Sequence, residues 1–332
     1  MNRINLNHLT LALLTLLFAG CSSDSPNDSQ GNNQGNKDEI NLNAQVWQVM
    51  QASAPRRAHT YDNAAALQAQ ASFTASAYVE NATTEYIKPV QVNWITDKWV
   101  WSDGKHYWPA TGNLDFFAYM PATKPSYIKA DPTYSIVESH PQASFTCENL
   151  PMTYNAATPA AGQGSSLQEF VYALTTGQNK TNAAAGVNLT FKRPFARINF
   201  QLAASHPTIR INSITFKGLK SGGTCSFDGN TSTWSSLTPD ASTVNFVATI
   251  NQDFSYSASD QAIGTTYLMV PQTFAGQIEV NASWNDWGDT PVEHTVTATI
   301  PATWQPGYSY TYTFNITLED LVVNLTDFTE QW

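Results

Sequence analysis

The sequence predicts an all-β protein made of two β-sandwich domains with Greek-key connections. Three observations carry that expectation. Apolar residues recur with period 2 through most of the chain, the spacing of strands with one buried face. The composition suits the pleated surface, with 10 Trp, 14 Tyr and 16 Phe beside abundant Thr and Val, and with only 13% of residues charged. No apolar stripe of helical period runs beyond a turn or two, and no tandem repeat is present. The 332 residues, less a leader and a tether, fit about two domains at ~100–200 residues each.

Taken in chain order, residues 1–20, MNRINLNHLTLALLTLLFAG, have a basic start at Arg3, an apolar run from Leu9 to Phe18, and the small pair Ala19-Gly20 ahead of Cys21. This is a secretory signal, too short to span a bilayer as a retained helix. A cysteine directly after small residues and an apolar run resembles the lipobox of bacterial lipoproteins, in which Cys21 is lipidated and becomes the first residue. The alternative is an ordinary signal peptide with an incidental cysteine. Residues 21–39, CSSDSPNDSQGNNQGNKDE, offer nothing to anchor a core beyond that cysteine and read as a flexible tether.

An N-terminal domain over 40–184 follows. Ile40, Leu42, Ala44 and Val46 alternate with Asn41, Asn43 and Gln45, a strand pattern with one buried face. Arg56-Arg57 then stands in ASAPRRAHT, the chain's only Arg-Arg pair, and reads as either a solvated turn or a proteolytic site. Phe73 to Val79 form another alternating run. WVWS (99–102), Asp103-Gly104 and KHYW (105–108) predict a hairpin, since Asp-Gly suits the two-residue turn. Leu114 to Met120 is apolar on both faces and predicts a strand covered on both sides. A long small-residue loop spans Tyr154 to Ser166.

A C-terminal domain is expected over 185–332. VNLTFKRPFARINFQLA (187–203) gives two strands broken at Pro194, and ITFKGLKSGG, YLMVPQTF, IEVNASW and HTVTATI continue the pattern. The longest run places Tyr308, Tyr310, Tyr312, Phe314, Ile316 and Leu318 on one face. Beyond it Leu321, Val323 and Leu325 alternate once more, as a last strand of this domain or as a strand to be donated elsewhere.

The same residues exclude several function classes. A net charge of −10 without clustered Lys and Arg argues against nucleic acid as a partner. Six histidines show no metal-ligand spacing, no metal or cofactor is expected, and no nucleophile elbow, P-loop or dinucleotide fingerprint occurs. Asp286 and Asp289 in WNDWGD read as a hairpin turn rather than a calcium loop. The protein is expected not to be an enzyme. Export permits a disulfide between Cys147 and Cys225, but they fall in different halves, and two buried or unpaired thiols are the preferred expectation. Trp99, Trp101 and Trp108 crowd into one stretch and supply a candidate aromatic platform for sugar rings, the basis of an alternative reading as a surface-anchored glycan-binding lipoprotein that is neither cut nor polymerised.

The lipobox-like leader, the Arg57-Ala58 step, NLDFFAYMP (113–121), QEFVYA (168–173), LTFKRPFARINFQL (189–202), LMVPQ (268–272) and WQPGYSYTYTFNI (304–316) together resemble the fimbrillin family of Bacteroidales fimbrial subunits. The resemblance runs in order from the leader to about residue 316. It implies two stacked transthyretin-like sandwiches, carried by the lipoprotein export machinery to the outer membrane on a lipid at Cys21. It further implies cleavage by an Arg-specific surface protease after Arg56 or Arg57, loss of the strand Ile40–Val46 with its lipid, and filling of the resulting groove by a strand from another fimbrial subunit. Leu321, Val323 and Leu325 are the candidate donor strand. The mature form is then a stalk or tip subunit in surface fimbriae, and a host or bacterial surface receptor is a further candidate partner.

Overall fold

A computed structural model describes residues 38–46, 64–69, 71–151, 153–154, 169–238, 245–274, 276–284, 291–300, 302–316 and 321–330. Strands run β1 (Leu42–Val46), then a short helix α1 (Ala64–Ala69), β2 (Ser72–Val79), β3 (Glu85–Ile95), β4 (Lys98–Trp101) and β5 (Leu114–Met120). They continue as β6 (Thr133–Val137), β7 (His140–Cys147), β8 (Thr153–Tyr154), β9 (Val171–Gln178), β10 (Val187–Phe191) and β11 (Ala196–Leu202). Next come β12 (Ile209–Lys217), β13 (Gly222–Phe227), β14 (Ser232–Thr238), β15 (Asn245–Phe254) and β16 (Gln261–Met269). The chain ends through β17 (Thr273–Phe274), β18 (Gln277–Trp284), β19 (Val292–Thr299), β20 (Ala302–Thr303), β21 (Tyr308–Ile316) and β22 (Leu321–Glu330). The fold is all-β, as the alternation predicts.

Seven strands in the order β10-β1-β4-β3-β2-β5-β9 make the N-terminal sheet. Its terminal strands meet: Tyr172 and Lys192 exchange backbone hydrogen bonds of 3.1 and 2.7 Å, so the sheet rolls round on itself. Inside the roll lie Leu42, Phe73, Val92, Trp99, Trp101, Phe116, Val171, Leu189 and Phe191, with Leu67 of α1. Side chains on adjacent residues of a strand face opposite ways, and on β5 both faces are used. Phe116, Ala118 and Met120 enter this core, while Phe117 and Tyr119 enter a second one. That second core is roofed by the four-stranded sheet β14-β13-β7-β6 through Ala143, Phe145, Cys147, Cys225 and Phe227. The two-sided burial predicted for 114–120 is thereby explained.

The C-terminal sandwich pairs the sheet β22-β21-β11-β16-β8 with the sheet β15-β12-β18-β19. Ile198, Phe200 and Leu202 of β11 and Tyr310, Tyr312 and Phe314 of β21 meet Ile211, Ile214 and Phe216 of β12 and Ile278 and Val280 of β18 between the layers. Trp304 closes one end, stacked on Phe274 at 5.3 Å and donating its indole N–H to the Tyr312 hydroxyl at 2.9 Å. Asp38–Trp332 forms one compact unit. Pairing crosses the division expected at 184/185: β10 belongs to the N-terminal roll, β7 pairs with β13, and β8 pairs with β16. The cores of the roll and of the C-terminal sandwich part between Phe191 and Ala196, where Pro194 breaks the two strands.

Two local expectations are corrected. Asp103-Gly104 does not close a hairpin between 99–102 and 105–108. Residues 106–108 instead bond to 38–40: Ile40 N–H donates to the His106 carbonyl and Trp108 N–H to the Asp38 carbonyl, both at 2.8 Å. The backbone groups that a hairpin would have used are taken by the first strand. The exposed aromatic platform is also not formed, because Trp99, Trp101 and Trp108 are only 6%, 6% and 8% exposed and face the roll's core. The alternation that places Trp99 and Trp101 on one face points them inward.

Candidate functional site: the slot of the first strand

The first strand is short, polar on alternate positions and far in sequence from everything that holds it. β1 lies between β10 and β4. Against β10 it runs parallel in an unbroken register from Leu42↔Val187 to Val46↔Phe191. Against β4 it makes one antiparallel pair, Leu42↔Trp99, continued upstream by the Glu39↔Tyr107 bridge. Ile40, Leu42 and Val46 are buried, and Ala44 packs half-buried against the same core. The wall behind them is aromatic, with Phe73 4.7 Å from Trp99 and 5.5 Å from Phe191, ring centre to ring centre. Burial of three such side chains is worth about 1.5–3 kcal/mol each.

Polar groups fix where the strand begins. The Trp101 indole N–H donates to the Ile40 carbonyl at 3.0 Å, from a buried position. Lys105 Nζ sits 2.7 Å from Glu39 Oε2, and that carboxylate raises the ammonium pKa above its ordinary value. Lys180 Nζ lies 3.5 Å from Asp38 Oδ1. On the outward side, Asn43 Nδ2 donates to the Ala185 carbonyl at 3.0 Å and to Asn188 Oδ1 at 3.2 Å, and Gln45 Nε2 donates to Thr190 Oγ1 at 3.0 Å. Gly186 leaves room for this approach: a Cβ there would meet the Asn43 amide at 2.9 Å, and its φ of +105° strains any other residue. The Val187 N–H, next in the chain, donates to the Asn41 carbonyl at 2.8 Å.

Every sequence-predicted member of the first strand, Ile40, Leu42, Ala44 and Val46, is therefore gathered into one slot. Cys21 and the Arg56-Arg57 pair lie outside the described residues. Leu321, Val323 and Leu325 fall on β22, which pairs antiparallel with β21 from Ile316↔Leu321 to Tyr308↔Glu330 and forms the edge of its sheet. Sequence reasoning did not find Lys105, Lys180 or Gly186. Each lies in a connection between strands, and such residues carry no periodicity; only the glycine at the foot of an alternating run was a usable signal.

A rolled sheet with its first strand in the interior, coupled to a sandwich with its last strand on an edge, defines an all-β protein of β-sandwich class. The sequence model described as Fimbrillin-like matches residues 57–332, and the chain belongs to that family, which makes it a fimbrial or adhesion subunit. Among solved structures, a candidate cell adhesion protein from Bacteroides uniformis is similar at 12% identity and TM-score 0.49, covering 89% of this chain and 98% of that one. The fimbrial anchor protein Mfa2 from Porphyromonas gingivalis matches at 11% identity and TM-score 0.38, covering 89% and 97%. The tip fimbrial protein Mfa3 from Porphyromonas gingivalis, with a C-terminal truncation, matches at 9% and 0.39, covering 78% and 94%. No match was found among curated protein sequences.

Proposed function

We propose that the chain is the precursor of a fimbrial stalk or tip subunit, matured by proteolysis and polymerised by strand exchange. The observation that carries this reading is the position of β1, interior to a sheet yet joined to the body only through the segment that contains Arg56-Arg57. The matched family region begins at Arg57, so β1 falls outside it. The precursor travels as a lipoprotein on Cys21, and an Arg-specific protease at the cell surface cuts after Arg56 or Arg57. The discarded piece takes the lipid and β1 with it.

Removal of β1 leaves β10 and β4 with unpaired backbone N–H and C=O groups above an apolar trench, a state that folded proteins normally avoid and that β-strand addition relieves. A strand from a second subunit that restores the pairing and fills the positions of Ile40 and Leu42 recovers roughly 3–6 kcal/mol of apolar burial before ordering costs. The contact is head-to-tail and does not close on itself, so it propagates into a fibre. The strand offered is β22, held in the free subunit by one neighbour in its sheet and therefore easier to release than an interior strand.

The test is the N-terminal sequence and assembly state of protein recovered from its own cells, beside a strain carrying Arg56→Ala and Arg57→Ala. The proposal predicts high-mass material starting at Arg57 or Ala58, absent from the double variant. Lipidated protein starting at Cys21 and monomeric in both strains overturns it.

A further inference from the structure

The slot is held at its entrance by charge, and the chain carries a second segment with the matching charge. Asp38-Glu39 and Glu319-Asp320 are the only adjacent acidic pairs in the 332 residues. Each stands directly ahead of an apolar alternation, DEINLNAQV in one case and EDLVVNLT in the other. Aligned on the acidic pair, Leu321 falls on Ile40, Val323 on Leu42 and Leu325 on Ala44. Asn324 falls on Asn43, whose amide is the one received by Ala185 and Asn188, and Thr326 on Gln45, whose amide reaches Thr190. The correspondence ends at Asp327, which falls on Val46 at the far end of the strand.

The receiving side matches. Lys105 and Lys180 belong to different connections, after β4 and after β9, and among the described residues they pair with Glu39 and Asp38 respectively. Once the residues up to Arg57 leave, both ammonium groups lose the carboxylates they hold in the precursor. Register is critical here, since a slip of one residue turns every apolar side chain of an inserted strand outward. Apolar alternation alone accepts slips of two residues equally well, whereas a charge pair at the entrance does not.

We propose that Lys105 and Lys180 form a register lock that reads an acidic pair at the head of the strand in the slot. The occupant after maturation is segment 319–326 of a second copy, with Glu319 and Asp320 taking the places of Asp38 and Glu39. The inserted strand thus runs parallel to β10, in the direction of β1. The inference rests on the strand-exchange reading and adds to it which end enters, in which register, and which two side chains select it.

The experiment uses the full chain treated with an Arg-specific protease, with polymer growth followed by light scattering at low and high salt. Four proteins are compared: the native chain, Lys105→Glu/Lys180→Glu, Glu319→Lys/Asp320→Lys, and the quadruple variant with both exchanges. Exposed ion pairs are individually weak, but replacing both by repulsion is expected to slow growth about tenfold at low salt in either double variant, less at high salt. The quadruple variant is expected to grow at close to the native rate. The tail variant alters no residue of the slot, so it reports even where the lysine exchange impairs folding. Equal growth by all four overturns the lock and leaves strand exchange standing. Absence of growth by the cleaved native chain overturns strand exchange, and the lock with it.

Discussion

Asp115 illustrates how single residues hold the roll. It is fully buried on β5, and its carboxylate accepts the backbone N–H groups of Asn81 at 3.2 Å and Gly177 at 2.8 Å and the hydroxyl of Tyr134 at 2.8 Å. Burial and this hydrogen bond push the Tyr134 phenol pKa upward. Tyr134→Phe keeps the ring, which stacks on Tyr78 at 4.0 Å, and removes one donor to a buried charge. The expected cost is about 1.5–3 kcal/mol by urea denaturation. The two remaining cysteines are buried and free, as the sequence suggests, although β7 and β13 place them on paired strands. Burial pushes the Cys147 thiol from 9.0 up to about 12. Its neutral form is favoured in the folded state, so the stability it carries is complete below about pH 9 and is lost as pH rises from there toward 12. Thiol reagents are therefore expected to leave Cys147 and Cys225 unlabelled in the native protein at pH 8 and to label both only after denaturation, and the urea midpoint is expected to fall between pH 8 and pH 10.5.

At the scale of elements, β1 is the strand whose hold is most specific. Its parallel register with β10 is continuous, but β4 meets it at a single residue, and the Trp101 indole supplies a bond where strand pairing is thin. Trp101→Phe keeps the buried ring and deletes that donor. Hydrogen exchange at residues 40–46 of the precursor is expected to quicken several-fold while β12 and β18, in the other core, keep their protection; equal rates in the two proteins contradict the indole's role in holding the strand. The same strand shows what was legible before the structure. Its alternation announced a buried face, and the double-sided run of β5 announced its place between two cores. Partners were not legible: nothing local tells Leu42 to sit opposite Val187 and Trp99, because pairing between distant strands is set by the whole packing arrangement. The misread Asp103-Gly104 turn has the same origin. Its local chemistry was right for a hairpin, and Gly104 does adopt φ +120°, but the first strand competes successfully for the groups beyond it.

For the whole molecule, the two sandwiches are joined by pairings that cross the middle of the chain, with β7 against β13 and β8 against β16. The aromatic density visible in the sequence builds the middle core and the wall of the slot rather than a sugar platform. The terminal strands are arranged oppositely: β1 is interior to its sheet and β22 is on an edge. Under the strand-exchange proposal, that asymmetry keeps the precursor inert and makes the cleaved subunit adhesive to its own kind. The most direct test locks β1 in place. Asn43 and Asn188 are in register on the outer side of the slot, with their side chains 3.2 Å apart. Asn43→Cys/Asn188→Cys, in a Cys21→Ser background, tethers β1 to β10 after oxidation without touching the core. After Arg-specific cleavage, mass photometry is expected to show monomers while the tether is oxidised and growing polymers once it is reduced. Polymers of equal size from the oxidised protein contradict the claim that departure of β1 opens the site of assembly.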